Sequence, residues 1–182
     1  MDEAVDSYHR ALAIDADYIH AHSNLLVTMP FLPRFTAAEV LAASKRAGAA
    51  LAATVIGPTP TRHVNTPDPD RTLKVGYLTP SMSMHVLAPY MEPVLKAHRQ
   101  NRVRVHVYAH VPRPDDTTLR LKQLAHTWTS VHGMSDDRLA EKIIEDGIDI
   151  LVDPMGHWDS NRLAVFARKP APIQVSYLCQ NM

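Results

Sequence analysis

Two loops of this chain carry a histidine behind a short apolar run. One reads TPSMSMH and ends in His85; the other reads DPMGHWDSN and carries His157. Imidazole titrates near neutrality, so a histidine in a cleft can move a proton or hold a substrate oxygen by a hydrogen bond. Each loop follows a segment that reads as a buried strand, Leu73–Leu78 and Ile148–Val152. In open parallel sheets, ligands bind at the carboxyl ends of the strands. Two such histidines in one sheet are therefore candidates to face a common cleft, although by position alone a surface or capping histidine is the commoner outcome. Gly156, beside His157, would let backbone approach a ligand closely.

Other constellations carry less. His20 and His22 lie two apart on a helical segment and cannot face one ion. His126 and His132 lack cysteine or carboxylate partners at metal-binding spacing. Asp115-Asp116 and Asp136-Asp137 read as charges at helix N-termini, where the helix dipole favours them. Cys179 is the single cysteine, so no intrachain disulfide forms, and no base stands beside it to make it a nucleophile. No glycine-rich phosphate loop is present. Lys+Arg and Asp+Glu balance at 19 each over 182 residues, which argues against bulk attraction to nucleic acid or an anionic membrane. Asp2 and Glu3 stand where a secretory signal would be basic, and the longest run free of Asp, Glu, Lys, Arg and His, Ala47–Thr61, is too short to span a bilayer. The expectation is a cytoplasmic protein without nucleic-acid or membrane partners.

The elements that must position these loops alternate. Residues 2–27 are helical in pattern, with Ala4, Tyr8, Ala11 and Leu12 on one face, and Tyr18–Thr28 starts a second helix. Small, aromatic and small residues at Ala4, Tyr8 and Ala11 resemble the second helix of a tetratricopeptide repeat, so residues 1–56 read as a remnant of such an array with a connecting helix. An unrelated amphipathic hairpin is the alternative. Thr36–Thr54 is helical, with Thr36 as cap and Glu39 as its capping-box partner. Residues 57–71, with four prolines, form a linker. From residue 72 to 182, strands over Leu73–Leu78, Val103–Val111, Trp128–Val131, Ile148–Val152 and Ile173–Leu178 alternate with helices over Ala88–Arg99, Asp115–Ala125, Ser135–Asp146 and Arg162–Arg168. Leu139, Ile143 and Ile144 are the expected core face of the Ser135–Asp146 helix. Such alternation predicts an α/β fold, a Rossmann-like parallel sheet covered on both faces.

Three pieces in order, LKVGYLTPSMSMH (Leu73–His85), EDGIDILVDPMGH (Glu145–His157) and NRLAVFARKPAPIQVSYL (Asn161–Leu178), resemble the N-terminal half of the catalytic region of protein O-GlcNAc transferases. That tetratricopeptide-repeat family includes the SPINDLY-like proteins. Its bacterial members carry a Ser-Pro-Asp-Phe-x-x-His loop after the first strand, and Thr79, Pro80 and His85 match the first, second and last places. Ser81 stands for the acidic residue and Met82 for the aromatic, so the loop is expected to lack the charge and the ring that would brace it. In the second loop Asp153, Gly156, His157, Arg162, Ala167, Arg168, Pro170, Ala171, Pro172 and Gln174 follow the family pattern.

The resemblance implies one Rossmann-like half of a GT-B glycosyltransferase that moves N-acetylglucosamine from UDP-GlcNAc to Ser/Thr side chains of proteins, with inversion and with no cofactor or metal. His85 would be the catalytic residue, positioning or deprotonating the acceptor. His157, Gly156, Thr79 and Arg162 would bind substrate, whereas Arg168 reads as structural. A Gly-Tyr-Pro-Gly-Thr run is expected after the last strand, where this chain reads Cys179-Gln180-Asn181-Met182. The resemblance thus implies a truncated protein without the second Rossmann-like half. Alternatives are a catalytically silent fragment or protein-binding module, one chain of a split transferase whose second half is another polypeptide, or transfer of fucose from a GDP-sugar.

Overall fold

The computed structural model describes residues 1–56, 63–68, 70–98 and 103–178. Cys179, the first part of the 57–71 linker and the end of the Ala88–Arg99 helix lie outside the described residues. Helices α1 (Asp2–Ile14), α2 (Ile19–Thr28) and α3 (Ala37–Ala53) build the N-terminal unit, with a 3-10 turn over Met29–Phe31. Its core is Val5, Leu25, Leu26, Met29, Ala43 and Ala47. On α1 the fully buried position is Val5, while Tyr8 and Leu12 pack against it half-buried. Ala4 and Ala11 are half-buried as well, so the expected face forms, with Val5 at its centre. The capping box of α3 forms as its sequence demands: Thr36 Oγ1 accepts from the Glu39 N–H at 3.3 Å, and Glu39 Oε2 accepts from the Thr36 N–H at 2.7 Å.

The second unit is a five-stranded, wholly parallel sheet: β1 (Leu73–Thr79), β2 (Val103–Ala109), β3 (Thr127–Ser130), β4 (Ile150–Asp153) and β5 (Ile173–Ser176), in the order β3-β2-β1-β4-β5. Val75, Tyr77, Val105 and Val107 form one core with Met91 and Leu95 of α4 (Ala88–His98) and Leu121 of α5 (Asp116–Lys122). Leu78, Tyr108 and Leu151 form the other with Leu139 and Ile143 of α6 (Asp136–Glu145) and Val165 of α7 (Leu163–Ala167). α6 departs from expectation at Ile144, which is 40% exposed; Ala140 takes the inward place, one turn before Ile143. Coverage also differs across the sheet. All four β5 residues are exposed and β3 has none buried, so the expectation of two covered faces holds for the central strands β1, β2 and β4 and not at the edges.

A buried carboxylate ties the described linker to the sheet. Asp149 accepts from Arg71 Nη1 at 2.7 Å, from the Lys74 N–H at 2.8 Å and from Asn65 Nδ2 at 2.6 Å. Burial alone would raise its pKa, but Arg71, the Lys74 N–H and Asn65 outweigh this and hold it down at about 2. Among the described residues, hydrogen bonds also join the helical unit to the sheet unit. Arg168 Nη2 donates to the Thr54 carbonyl at 3.1 Å, and Ser23 Oγ lies 3.0 Å from His157 Nδ1. Among the described residues, no helix is long and apolar enough to cross a membrane.

Candidate active site at the sheet switch point

Strand order reverses between β1 and β4, because the chain leaves β1 toward β2 on one side and returns to β4 on the other. Loops after adjacent strands that depart in opposite directions leave a crevice between them. The two histidine-bearing loops are the ones that leave β1 and β4. The crevice holds a cavity of about 220 Å³ lined by His85, Val86, Leu87, Pro154, Met155, Trp158 and Leu178.

The first loop is braced after all, by different chemistry from that of the family pattern. Thr79 is fully buried; its Oγ1 accepts from the Ser81 N–H at 3.1 Å and lies 2.7 Å from Ser81 Oγ. Met82 is fully buried in the same core cluster as Met91 and so anchors the loop by packing. Asp115, the cap of α5, also accepts from the Met84 N–H at 2.6 Å. That carboxylate has a lowered pKa because the Thr118 and Met84 N–H groups stabilise its charge. The loop delivers His85 to the cavity wall, where its Nδ1 accepts from the Leu87 N–H at 3.2 Å. A backbone N–H can only donate, so the neutral ring carries its proton on Nε2.

The second loop is held by Asp153, whose two carboxylate oxygens accept from the Met155 and Gly156 N–H groups, each at 2.9 Å. Gly156 has φ +60, the left-handed region that costs little only for glycine. The turn sends Met155 and Trp158 to the cavity and His157 the other way. His157 is buried, with its pKa lowered by loss of water and secondarily by the neighbouring His22. Its Nδ1 meets Ser23 Oγ on α2. Neither His157 nor Gly156 is on the cavity lining. Of the expected site residues, the structure therefore brings only His85 to the wall, while Thr79 and Gly156 shape the loops beneath it.

Arg162 is spent elsewhere. Its Nε pairs with Asp136 at 2.6 Å, Nη2 donates to the Met134 carbonyl at 2.8 Å, and Nη1 lies 3.3 Å from His110 Nδ1. The guanidinium thus joins the start of α7 to the start of α6. Arg168 does likewise through Asp137, the Ala164 carbonyl and the Thr54 carbonyl. His110 has a lowered pKa from burial, then from Arg162 and His132, whose ring stacks edge-on at 5.4 Å.

Sequence reading missed Ser23, Met155 and Leu178. Ser23 left one trace: a polar residue among Ala21, Leu25 and Leu26 on an apolar face needs a partner. Met155 and Leu178 left none, because apolar residues beside strands look the same in a core and in a cavity wall.

A family model described as glycosyl transferase family 41 matches residues 18–181. A probable UDP-N-acetylglucosamine–peptide N-acetylglucosaminyltransferase SPINDLY of Oryza sativa subsp. japonica is 30% identical over 178 residues, 96% of this chain and 19% of that protein. Its Arabidopsis thaliana counterpart is 30% identical over 169 residues, 91% and 18% respectively. The chain thus spans under a fifth of these curated relatives. A solved mutant form of the Thermobaculum terrenum O-GlcNAc transferase superimposes with a TM-score of 0.77 at 33% identity, over 96% of this chain and 33% of that one.

Proposed function

The chain belongs to glycosyl transferase family 41, and from that premise we propose that it forms one wall of a site that transfers N-acetylglucosamine from UDP-GlcNAc to serine or threonine hydroxyls of proteins. In that reaction the acceptor oxygen bonds to the anomeric carbon as the bond to the UDP phosphate oxygen breaks. UDP leaves with the electron pair, and the hydroxyl proton passes to water. The observation that carries the reading is the cavity at the β1/β4 switch point, with His85 on its wall. Its Nε2–H makes neutral His85 a donor, suited to position an acceptor or sugar oxygen rather than to take the hydroxyl proton. α4 begins directly behind His85–Leu87, and a helix N-terminus favours negative charge such as a diphosphate. The reading calls on no metal or cofactor.

A second reading, a protein-binding module without catalysis, is favoured by one feature. None of the seven lining residues is a lysine or arginine that could neutralise a departing diphosphate, and Val86, Trp158 and Leu178 are exposed apolar groups. Calorimetry with UDP and UDP-GlcNAc separates the two. Saturable binding that weakens in His85→Ala supports transferase chemistry. A folded chain that gives no heat with millimolar nucleotide refutes that function for this polypeptide and leaves the binding module.

A further inference from the structure

We propose that Ser23, on α2 of the helical unit, is a positioning residue for the sheet's cavity, because its hydroxyl holds His157 and with it the Met155–Trp158 wall. The two residues stand 134 positions apart and both are buried, Ser23 at 3% and His157 at 8% exposure. Among the described residues, their 3.0 Å contact is the one side-chain hydrogen bond that runs from α2 into the β4–α7 loop.

The direction of this bond follows from what else Ser23 can reach. Ser7, Thr28 and Ser44 each donate to the carbonyl four residues back in their own helices. Ser23 makes no such bond among the described residues, so its proton is satisfied only if it donates to His157 Nδ1. His157 is thereby fixed as a neutral acceptor at Nδ1, with Nε2 carrying the proton. His22, one residue before Ser23, is held in turn by the Ala16 carbonyl at 2.8 Å from Nε2, so the start of α2 is anchored on both sides of the contact.

The consequence for the cavity comes from the turn. Asp153 fixes the backbone of Met155 and Gly156, and Gly156 at φ +60 sets opposite directions for the side chains on either side of it. Beyond Gly156 the chain makes a turn over Gly156 and His157, and among the described residues the side-chain hydrogen bond that ties this stretch to another element is that of the His157 ring to Ser23, before the Trp158 carbonyl accepts from Asn161 Nδ2. Trp158 and Met155 are cavity wall. Releasing His157 from Ser23 therefore frees the segment that carries Trp158. The helical unit is in this way a structural part of the site, and a load on α2 reaches the cavity through one hydroxyl.

The functional consequence rests on the glycosyl-transfer reading, but the placement of Ser23 does not, and the test keeps them apart. In a Trp128→Phe background, Trp158 is the single tryptophan and its emission reports the wall directly. Ser23→Ala and Ser23→Thr are compared by that emission, by NMR titration of the His157 ring, and by UDP affinity. In Ser23→Ala, the Trp158 emission shifts and the His157 titration moves up toward that of free imidazole, because the donor that favours the neutral ring is gone. UDP affinity falls about fivefold, the loss of roughly one hydrogen bond. Ser23→Thr keeps the hydroxyl and restores all three. A merely structural role would lower the melting temperature of Ser23→Ala and leave the Trp158 emission and the UDP affinity of the folded protein unchanged, and that result overturns the proposal. If UDP binds neither protein, the transferase reading fails, while titration still reports the Ser23–His157 bond and Trp158 emission still decides whether Ser23 holds the wall.

Discussion

Replacing Asp149 by asparagine tests how the linker is held to the sheet. The carboxylate is 4% exposed and is met by Arg71, by the Lys74 N–H and by Asn65. Its pKa falls from an ordinary 3.8 to about 2, a preference for the charged form of roughly 2.4 kcal/mol. Asparagine keeps one acceptor oxygen and turns an NH2 group toward donors, and the Arg71 side chain retains 26% exposure, so water screens part of the pair. The expected loss at pH 6 is therefore about 1–2.4 kcal/mol. The sign follows from a depressed folded pKa. The contribution is complete above the unfolded value and disappears as pH falls through the folded one. The gap between wild type and Asp149→Asn should thus shrink to roughly half at pH 3 and close below pH 2. Urea unfolding followed by circular dichroism at pH 6, 4 and 3 measures the gap, and hydrogen exchange of the Lys74 amide reports the same bond locally. An equal gap at pH 6 and pH 3, or a variant as stable as wild type at pH 6, would show that the network carries no charge-dependent stability and refute the argument.

Met82→Ala should cost about 2–5 kcal/mol, since the side chain is fully buried, whereas Met84→Ala, at 87% exposure two residues on, should stay within about 0.5 kcal/mol; equal losses would mean that Met82 does not anchor the first loop. His157 has a lowered pKa through burial and then through His22, so the unfolded ring takes up its proton first as pH falls through about 6.5. Stability should therefore drop between pH 7.5 and 5.5, and His157→Gln should flatten that slope in thermal melts; an unchanged slope would assign the drop to other groups.

Helix caps and ends, which are decided within a few residues, were legible before the fold was known, whereas the equally local Thr79–Ser81 and Asp153 loop contacts were not. Thr36 and Glu39 cap α3, Ser135 caps α6, and Gly147 at φ +64 closes that helix, because caps and helix ends depend on contacts three or four positions away. The strand runs and the parallel α/β class followed from local hydrophobic patterns in the same way. Side-chain rotation about a helix was less secure. Ile143 and Ile144 are equivalent in composition, and only packing on the sheet put one inside and the other at 40% exposure.

Tertiary structure alone made β1 and β4 neighbours, and so set the two histidine loops on one crevice. It then separated the residues that the sequence pattern had grouped. His85 reached the cavity wall, His157 turned to Ser23, and Arg162 went to Asp136. These outcomes join positions far apart in the chain, where no local spacing rule operates. The buried and part-buried polar atoms of Ser23, His157 and Arg162 were settled by the partners the packed fold left within reach, because leaving such groups unpaired away from water costs more than any local preference supplies.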